Sequence, residues 1–345
     1  MSIGAWLKRF EFPLCPRGAS RYYRLVTILL VGLLGTVLAT SAPPPAGDLP
    51  EKGGPIIPVL PTITVLNTND AVENEYNRVM LDDDAAEKEI LGWMDSAEAF
   101  AKAGGSAGSV TLNLRIQQRL DGIKKEYADF VEKHPKHVNA RLAFGSFLKD
   151  NNDDEGALAQ WEAARQLAPT NSATWNNLGN YYANPGRPVK KAFEYYDKAI
   201  ELNPVQAVYY HNLAAAVYLF RKDAREYYHL DEQKVFDKAQ SLYREAIKLD
   251  PGNFVLSTDY AESFYGTNPP RWKDGLEAWA SALKIAPDEV EREGVFLHLA
   301  RIHLELGDYD QARANLDLVT NVNYTKLKSN LASNLTSAVA KQKKE

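Results

Sequence analysis

The sequence predicts an all-α protein made of consecutive helical hairpins, and three observations predict it. A sparse pattern returns five times between Val138 and Tyr324 at a period of roughly 34 residues, the signature of a helical repeat array. Within each copy, small and bulky apolar residues keep the same offsets. Pro169, Pro204, Pro251 and Pro287 then close four of the copies. Proline disfavours helix in the residue before it, so each of these marks the end of a second helix.

Of the 345 residues, 45% are hydrophobic and 25% charged, an ordinary globular composition with ample material for a core. Residues 1–24 form a basic, cytoplasmic N-region: Lys8, Arg9, Arg17, Arg21 and Arg24 against Glu11 give +4, which leaves −9 for the remainder of this −5 chain. A mildly acidic body argues against nucleic acid, because phosphate contacts need clustered Lys and Arg. The single cysteine, Cys15, precedes the apolar segment, so the body has neither an internal disulfide nor a cysteine metal site.

Residues 25–42 read as a transmembrane anchor or a signal peptide. Leu25 to Ala39 carries no charge and follows Arg21 and Arg24, which orients the N-terminus toward the cytoplasm and the body to the far side of the membrane. In a bacterium that places an inner-membrane protein with its body in the periplasm. Ala39 and Ser41 have the spacing that a signal peptidase accepts, so secretion after cleavage is the alternative. Residues 43–69 form a Pro-rich linker, with Pro43, Pro44, Pro45, Pro50, Pro55, Pro58 and Pro61 favouring extended chain. Its apolar stretch Ile56–Leu66 reads as an arm along the body, or as an occupant of the array's own groove or a partner's sheet edge.

Residues 70–137 predict N-terminal helices with a degenerate leading repeat. Asp82, Asp83 and Asp84 offer N-caps for a helix running to about Lys102. Gly104, Gly105 and Gly108 break the chain. Leu112, Ile116, Leu120, Ile123, Tyr127 and Phe130 then follow at helical spacing up to His134–Pro135.

The five clear units span 138–171, 172–206, 207–253, 254–288 and 289–324. A small residue at the eighth position of each first helix (Gly145, Gly179, Ala214, Ala261, Ala300) lets two helix axes approach. A small residue in the second helix (Ala157, Ala192, Ala239, Gly275, Ala312) does likewise, and a bulky one four residues on (Trp161, Tyr196, Tyr243, Trp279, Leu316) fills the gap to the next unit. The third unit carries an insertion of about thirteen residues between Arg221 and Val235, read as an exposed loop whose Tyr227, Tyr228 and His229 either touch a partner or pack down. After the fifth unit, Leu327, Leu331, Leu335 and Val339 make one apolar stripe, which predicts a capping helix over 325–345.

These offsets resemble the tetratricopeptide repeat family over roughly residues 115–340. The resemblance implies a right-handed α-α superhelix whose first helices line a concave, partner-binding groove. Carried onto this chain, the inward positions are Asn139, Leu142, Ser146, Lys149, Asn176, Asn180, His211, Tyr218, Thr258, Glu262, Tyr265, Leu297 and Arg301. The proposed partner-binding subset is Asn139, Asn176, Asn180, His211, Tyr218, Thr258, Glu262, Tyr265 and Arg301. Amides carry both donor and acceptor, so Asn176 and Asn180 would suit a peptide backbone. Leu142, Val208 and Asn212 supply no positive charge, which argues against the family's clamp for a C-terminal carboxylate.

No phosphate loop, nucleophile turn or helical histidine pair is present: His298 and His303 are on different stripes, and His134 and His137 flank Pro135 as linker residues. The sequence therefore predicts a non-enzymatic scaffold or adaptor, without cofactor or metal, that binds a protein or peptide and meets the membrane through residues 25–42. The alternative is a structural subunit of an envelope assembly or secretion complex.

Overall fold

The computed structural model describes residues 70–102 and 109–342. The basic N-region, the apolar 25–42 segment, the Pro-rich linker with its Ile56–Leu66 arm, and the glycine break lie outside the described residues. The described chain is all-α, with fourteen helices and no strand among the described residues. It divides into two compact units, one ending at Pro204 and the other starting at Val205.

The first unit begins with α1 (Ala71–Lys102) and α2 (Ser109–Lys133). Here the structure corrects the predicted helix start. Asp70 caps α1, its Oδ1 accepting from the amides of Val72 and Glu73 at 2.9 and 3.2 Å, and the helix runs straight through Asp82–Asp84. Tyr76, Val79 and Met80 bury themselves within about two turns before those acids, so packing extends the helix past its internal caps. The displaced carboxylates find other partners. Asp82 takes both terminal nitrogens of Arg119 at 2.9 and 2.7 Å, and Asp83 accepts from the Tyr127 hydroxyl at 2.8 Å.

Two hairpins follow in this unit: α3 (Val138–Asp150) with α4 (Asp154–Leu167), and α5 (Ser172–Tyr182) with α6 (Lys190–Leu202). His137 is more than a linker residue. Its Nδ1 accepts from Ala140 N at 3.0 Å to cap α3, while its Nε2 lies 3.0 Å from Glu73 on α1. Asp153 and Asn171 cap α4 and α5 through their side-chain oxygens. The small residues act as the offsets require. A Cβ on Gly145 would stand 2.3 Å from Trp161 Nε1, and one on Gly179 would stand 2.6 Å from the Tyr196 ring. Both aromatics are fully buried, so only glycine admits them there.

The second unit holds α7 (Ala207–Leu219), α8 (Arg221–Tyr228), α9 (Glu232–Leu249), α10 (Phe254–Glu262), α11 (Trp272–Leu283), α12 (Glu289–Glu305), α13 (Tyr309–Asp317) and α14 (Thr325–Gln342). Helices α7 and α9, α10 and α11, and α12 and α13 pair as hairpins, and α9 and α11 each pack on the following first helix. The insertion is not a loop. It forms the short helix α8, anchored by the fully buried Ala224 and closed by His229 at φ 54. Tyr227 and Tyr228 meet edge to face at 4.7 Å, and Lys238 lies 4.0 Å over the Tyr228 ring, so these tyrosines pack down. Their covered faces leave His229 as the exposed member of the trio.

At the end of the array, Leu327, Leu331 and Leu335 of α14 bury against Leu297, Ala312 and Leu316. The fifth unit lacks a closing proline, and a carboxylate does that work. Glu293 accepts from Thr320 N and Oγ1 at 2.8 Å each and from Asn321 N at 2.6 Å. Burial alone would raise its pKa, but these hydrogen bonds win and hold it below the usual carboxylate range.

Candidate functional site

The structure encloses many of the expected groove residues and leaves Tyr218, Thr258, Glu262 and Tyr265 half-buried. In the first unit the expectation of an open amide lining is corrected. Asn176 is fully buried and its Nδ2 donates to Asn177 Oδ1 at 3.2 Å; Asn180 is buried, its Oδ1 accepting from the Tyr196 hydroxyl at 2.8 Å. These amides lie inside the helix packing, because a hydrogen-bonded amide is admitted to a close-packed interior. Leu142 and Ser146 are buried as well, with Ser146 Oγ donating to Leu142 O. Lys149 is tied to Asp154 at 2.8 Å. Asn139 is exposed, and its carbonyl accepts weakly from the Tyr76 hydroxyl at 3.4 Å.

The second unit gathers its expected residues from three first helices. His211 and Tyr218 come from α7, Thr258 and Glu262 from α10, Tyr265 from the turn after it, and Arg301 from α12. His211 is buried and its Nε2 sits 2.7 Å from Asp259 Oδ2. That ion-pair geometry joins the fifth position of one repeat to the sixth of the next. Arg301 spreads its guanidinium 4.5 Å over the Tyr265 ring, a cation–π contact that leaves it almost wholly buried. Thr258 is half-buried and its Oγ1 turns back to Val255 O at 2.8 Å, which keeps the hydroxyl on its own helix. Leu297, also carried over as inward, is fully buried beneath α14.

A residue that sequence reasoning set aside completes the cluster. His298 stacks on Trp279 at 3.9 Å with an interplanar angle of 11°, and its Nδ1 lies 2.9 Å from the Tyr265 hydroxyl. Burial, helped by the nearby Arg301 charge, lowers its pKa to about 3, so the imidazole is neutral across the physiological range. Burial also pushes the Tyr265 hydroxyl well above the ordinary tyrosine value, so it keeps its proton. The signal that finds these residues is the sixth offset, which carries Asn177, Asn212, Asp259 and His298 in four successive units.

Glu262 is the electrostatically strained member. It is half-buried, and desolvation, with the Asp259 charge adding to it, raises its pKa to about 8; Arg301 pulls weakly the other way. Asp259 and Glu262 also both lie in the last turn of α10, which holds no basic residue. A helix C-terminus carries partial negative charge, so each acid there costs about 0.3–1 kcal/mol. Tyr218 stands at the edge: a Cβ on Gly266 would come within 2.7 Å of its hydroxyl, so the glycine makes room for that ring.

Among the described residues no group of histidine, cysteine and carboxylate side chains has the arrangement of a metal site. No helix among them is long and apolar enough to cross a membrane.

Residues 172–206 and 294–325 match the tetratricopeptide repeat family. The chain is similar to the photosystem I assembly protein Ycf3 of Acaryochloris marina, at 38% identity over 23% of this chain and 47% of that protein. It is likewise similar to Ycf3 of Rippkaea orientalis, at 32% identity over 24% of this chain and 49% of that protein. The chain thus spans about half the length of the curated relatives it matches. Among solved structures, PilW, described as a widely conserved type IV pilus biogenesis factor, aligns at TM-score 0.50 and 16% identity over 65% of this chain and 95% of PilW, which shows a shared fold.

Proposed function

We propose that the protein is a membrane-tethered or exported adaptor that holds a protein or peptide partner against the first helices of its repeats. Hairpins of the tetratricopeptide type serve protein–protein interaction, and that general role fits the chain as a whole. The observation that carries the finer reading is the cluster on α7, α10 and α12, where Tyr218, Glu262, Tyr265 and Arg301 stay together at inward offsets. Aromatic rings and Arg are the side chains enriched at protein interfaces. The apolar run Leu25–Ala39 supports tethering, and the basic residues before it support an extracytoplasmic body. The curated relatives are named photosystem I assembly proteins, which favours partners that are themselves proteins.

A photocrosslinking amino acid placed at Thr258, compared with one at the exposed Glu201, tests this in native membranes. The expected result is a discrete crosslinked product from position 258 and none from 201. Equal products from both positions, or a product from 201 alone, would remove the groove reading. Carbonate washing of the same membranes should leave the protein in the pellet if residues 25–42 are embedded, and release to the supernatant would overturn the tether.

A further inference from the structure

Helices α1 and α2 outrun the repeat helices that follow them. Their 32 and 25 residues span about 48 and about 38 Å, against about 20 Å for α3 and α4. Ala86 of α1 and Ile123 of α2 still belong to the core shared with α3, α4 and α5, and Leu120 packs at its margin. Beyond them the packing involves α1 and α2 alone among the described residues: Ile90, Met94 and Ile116 meet Trp93, Leu112 and Leu120. The hairpin is antiparallel, with Met80 beside Tyr127 and the Arg115 guanidinium 3.8 Å over the Trp93 ring. Its free end keeps large apolar side chains in water. Phe100, in the last turn of α1, is 55% exposed; Val110 and Leu114, at the start of α2, are 78% and 58% exposed. Val110 and Leu114 are four residues apart and so share a helix face.

The two helices of this free end carry opposite charge. From Glu87 to Lys102 of α1, Glu87, Glu89, Asp95 and Glu98 outnumber Lys88 and Lys102. From Ser109 to Arg119 of α2 there are two cations, Arg115 and Arg119, and no acid. The attraction already acts within the chain, where Arg119 Nε donates to Glu89 at 3.0 Å. We propose that the free end of the α1–α2 hairpin docks onto the same end of a second copy of this chain. A two-fold interface uses one patch twice, and it can lay α1 of one copy on α2 of the other. That arrangement sets an acidic helix on a basic one and covers Phe100, Val110 and Leu114 of both copies. A surface of one sign, such as an anionic membrane, suits one of the two helices and repels the other. Four helices also enclose an apolar centre that two leave open. Only the free ends meet, so the contact is small and the association weak.

The test uses the full chain. A photocrosslinking amino acid at position 110, in native membranes, should give a product of two chains in which that position is joined to α1. A product within one chain, with lipid or with a different protein, or no product, would overturn the inference. Sedimentation equilibrium in density-matched detergent then follows the mass from about 1 to about 100 μM protomer, the range in which a small interface associates. The expected result is a rise from one chain to two. Phe100→Asp and Leu114→Asp should each weaken it tenfold or more with helix content unchanged, since both side chains are exposed. Val322→Asp, at an apolar position that is 82% exposed in the other unit, should associate like the unaltered protein. Asp95→Lys should weaken association as well, and unchanged or tighter association would overturn the pairing of acidic with basic helix. A single chain at every concentration, or dimers that Phe100→Asp and Leu114→Asp leave at full strength, would overturn the docking site itself.

Discussion

The two units use the same hairpin crossing but line their first helices differently. In residues 70–204 the buried inner offsets of α3 and α5 are neutral, Leu142, Ser146, Asn176 and Asn180, and the charged Lys149 is tied to Asp154. In residues 205–342 the corresponding positions of α7, α10 and α12 hold His211, Glu262 and Arg301, with Asp259 beside them. The comparison teaches that the repeat pattern constrains the small and bulky residues at the crossings and leaves the inner offsets free to vary. One unit uses that freedom for enclosed amides, the other for charge kept partly out of water. Buried charge costs stability unless it is paired, so the unpaired Glu262 is a cost that these neutral positions avoid.

The largest expected effect tests the shared crossing. Trp161→Ala should destabilise the first unit by about 3–5 kcal/mol, because it empties a fully enclosed site; chemical denaturation followed by tyrosine and tryptophan fluorescence reads it. A loss under about 1 kcal/mol would mean that the crossing is not where this unit's stability sits. Next comes the buried pair of the second unit. His211→Ala leaves Asp259 enclosed without its partner and should cost about 3 kcal/mol, while the double variant with Asp259→Ala should recover part of that loss. Gly179→Ala is smaller, about 1–3 kcal/mol, since the added carbon would meet the Tyr196 ring, which is itself enclosed.

The smallest effect has the opposite sign. Glu262 has a raised folded pKa, so the folded state binds its proton more tightly than the unfolded state does. Its penalty is absent below the unfolded value and grows as pH rises toward about 8, where it levels off. Glu262→Gln should therefore stabilise the second unit by about 1–2 kcal/mol at pH 8, a figure reduced for its remaining solvent contact, and by nothing measurable near pH 4. Thermal melts of both proteins across that range check it. In the first unit, Asp150 shows the same sign: burial raises its pKa to about 7, with Lys149 opposing and Asp83 and Glu87 adding to the rise.

Much of this was legible in the sequence, for physical reasons. The glycine and alanine offsets could be read because a close helix crossing leaves no choice of side chain, as the enclosed Trp161 and Tyr196 show. The inner cluster could be read in part, since Tyr218, Glu262, Tyr265 and Arg301 fall on one helical phase. Three things could not. The start of α1 was hidden because Asp82–Asp84 look like caps in isolation, and only Arg119 and Tyr127 on a different helix explain their place mid-helix. Helix α8 was hidden because a single small residue, Ala224, anchors an otherwise charged stretch. The burial of Asn176 and Asn180 was hidden because a polar side chain gives no sign in sequence of whether its partner is water or a neighbouring side chain.

The most direct measurement is the titration of the Glu262 carboxyl carbon by NMR in the full chain, assigned by its disappearance in Glu262→Gln. A midpoint near 8 is what this account predicts. A midpoint near the ordinary glutamate value of about 4.3 would contradict it.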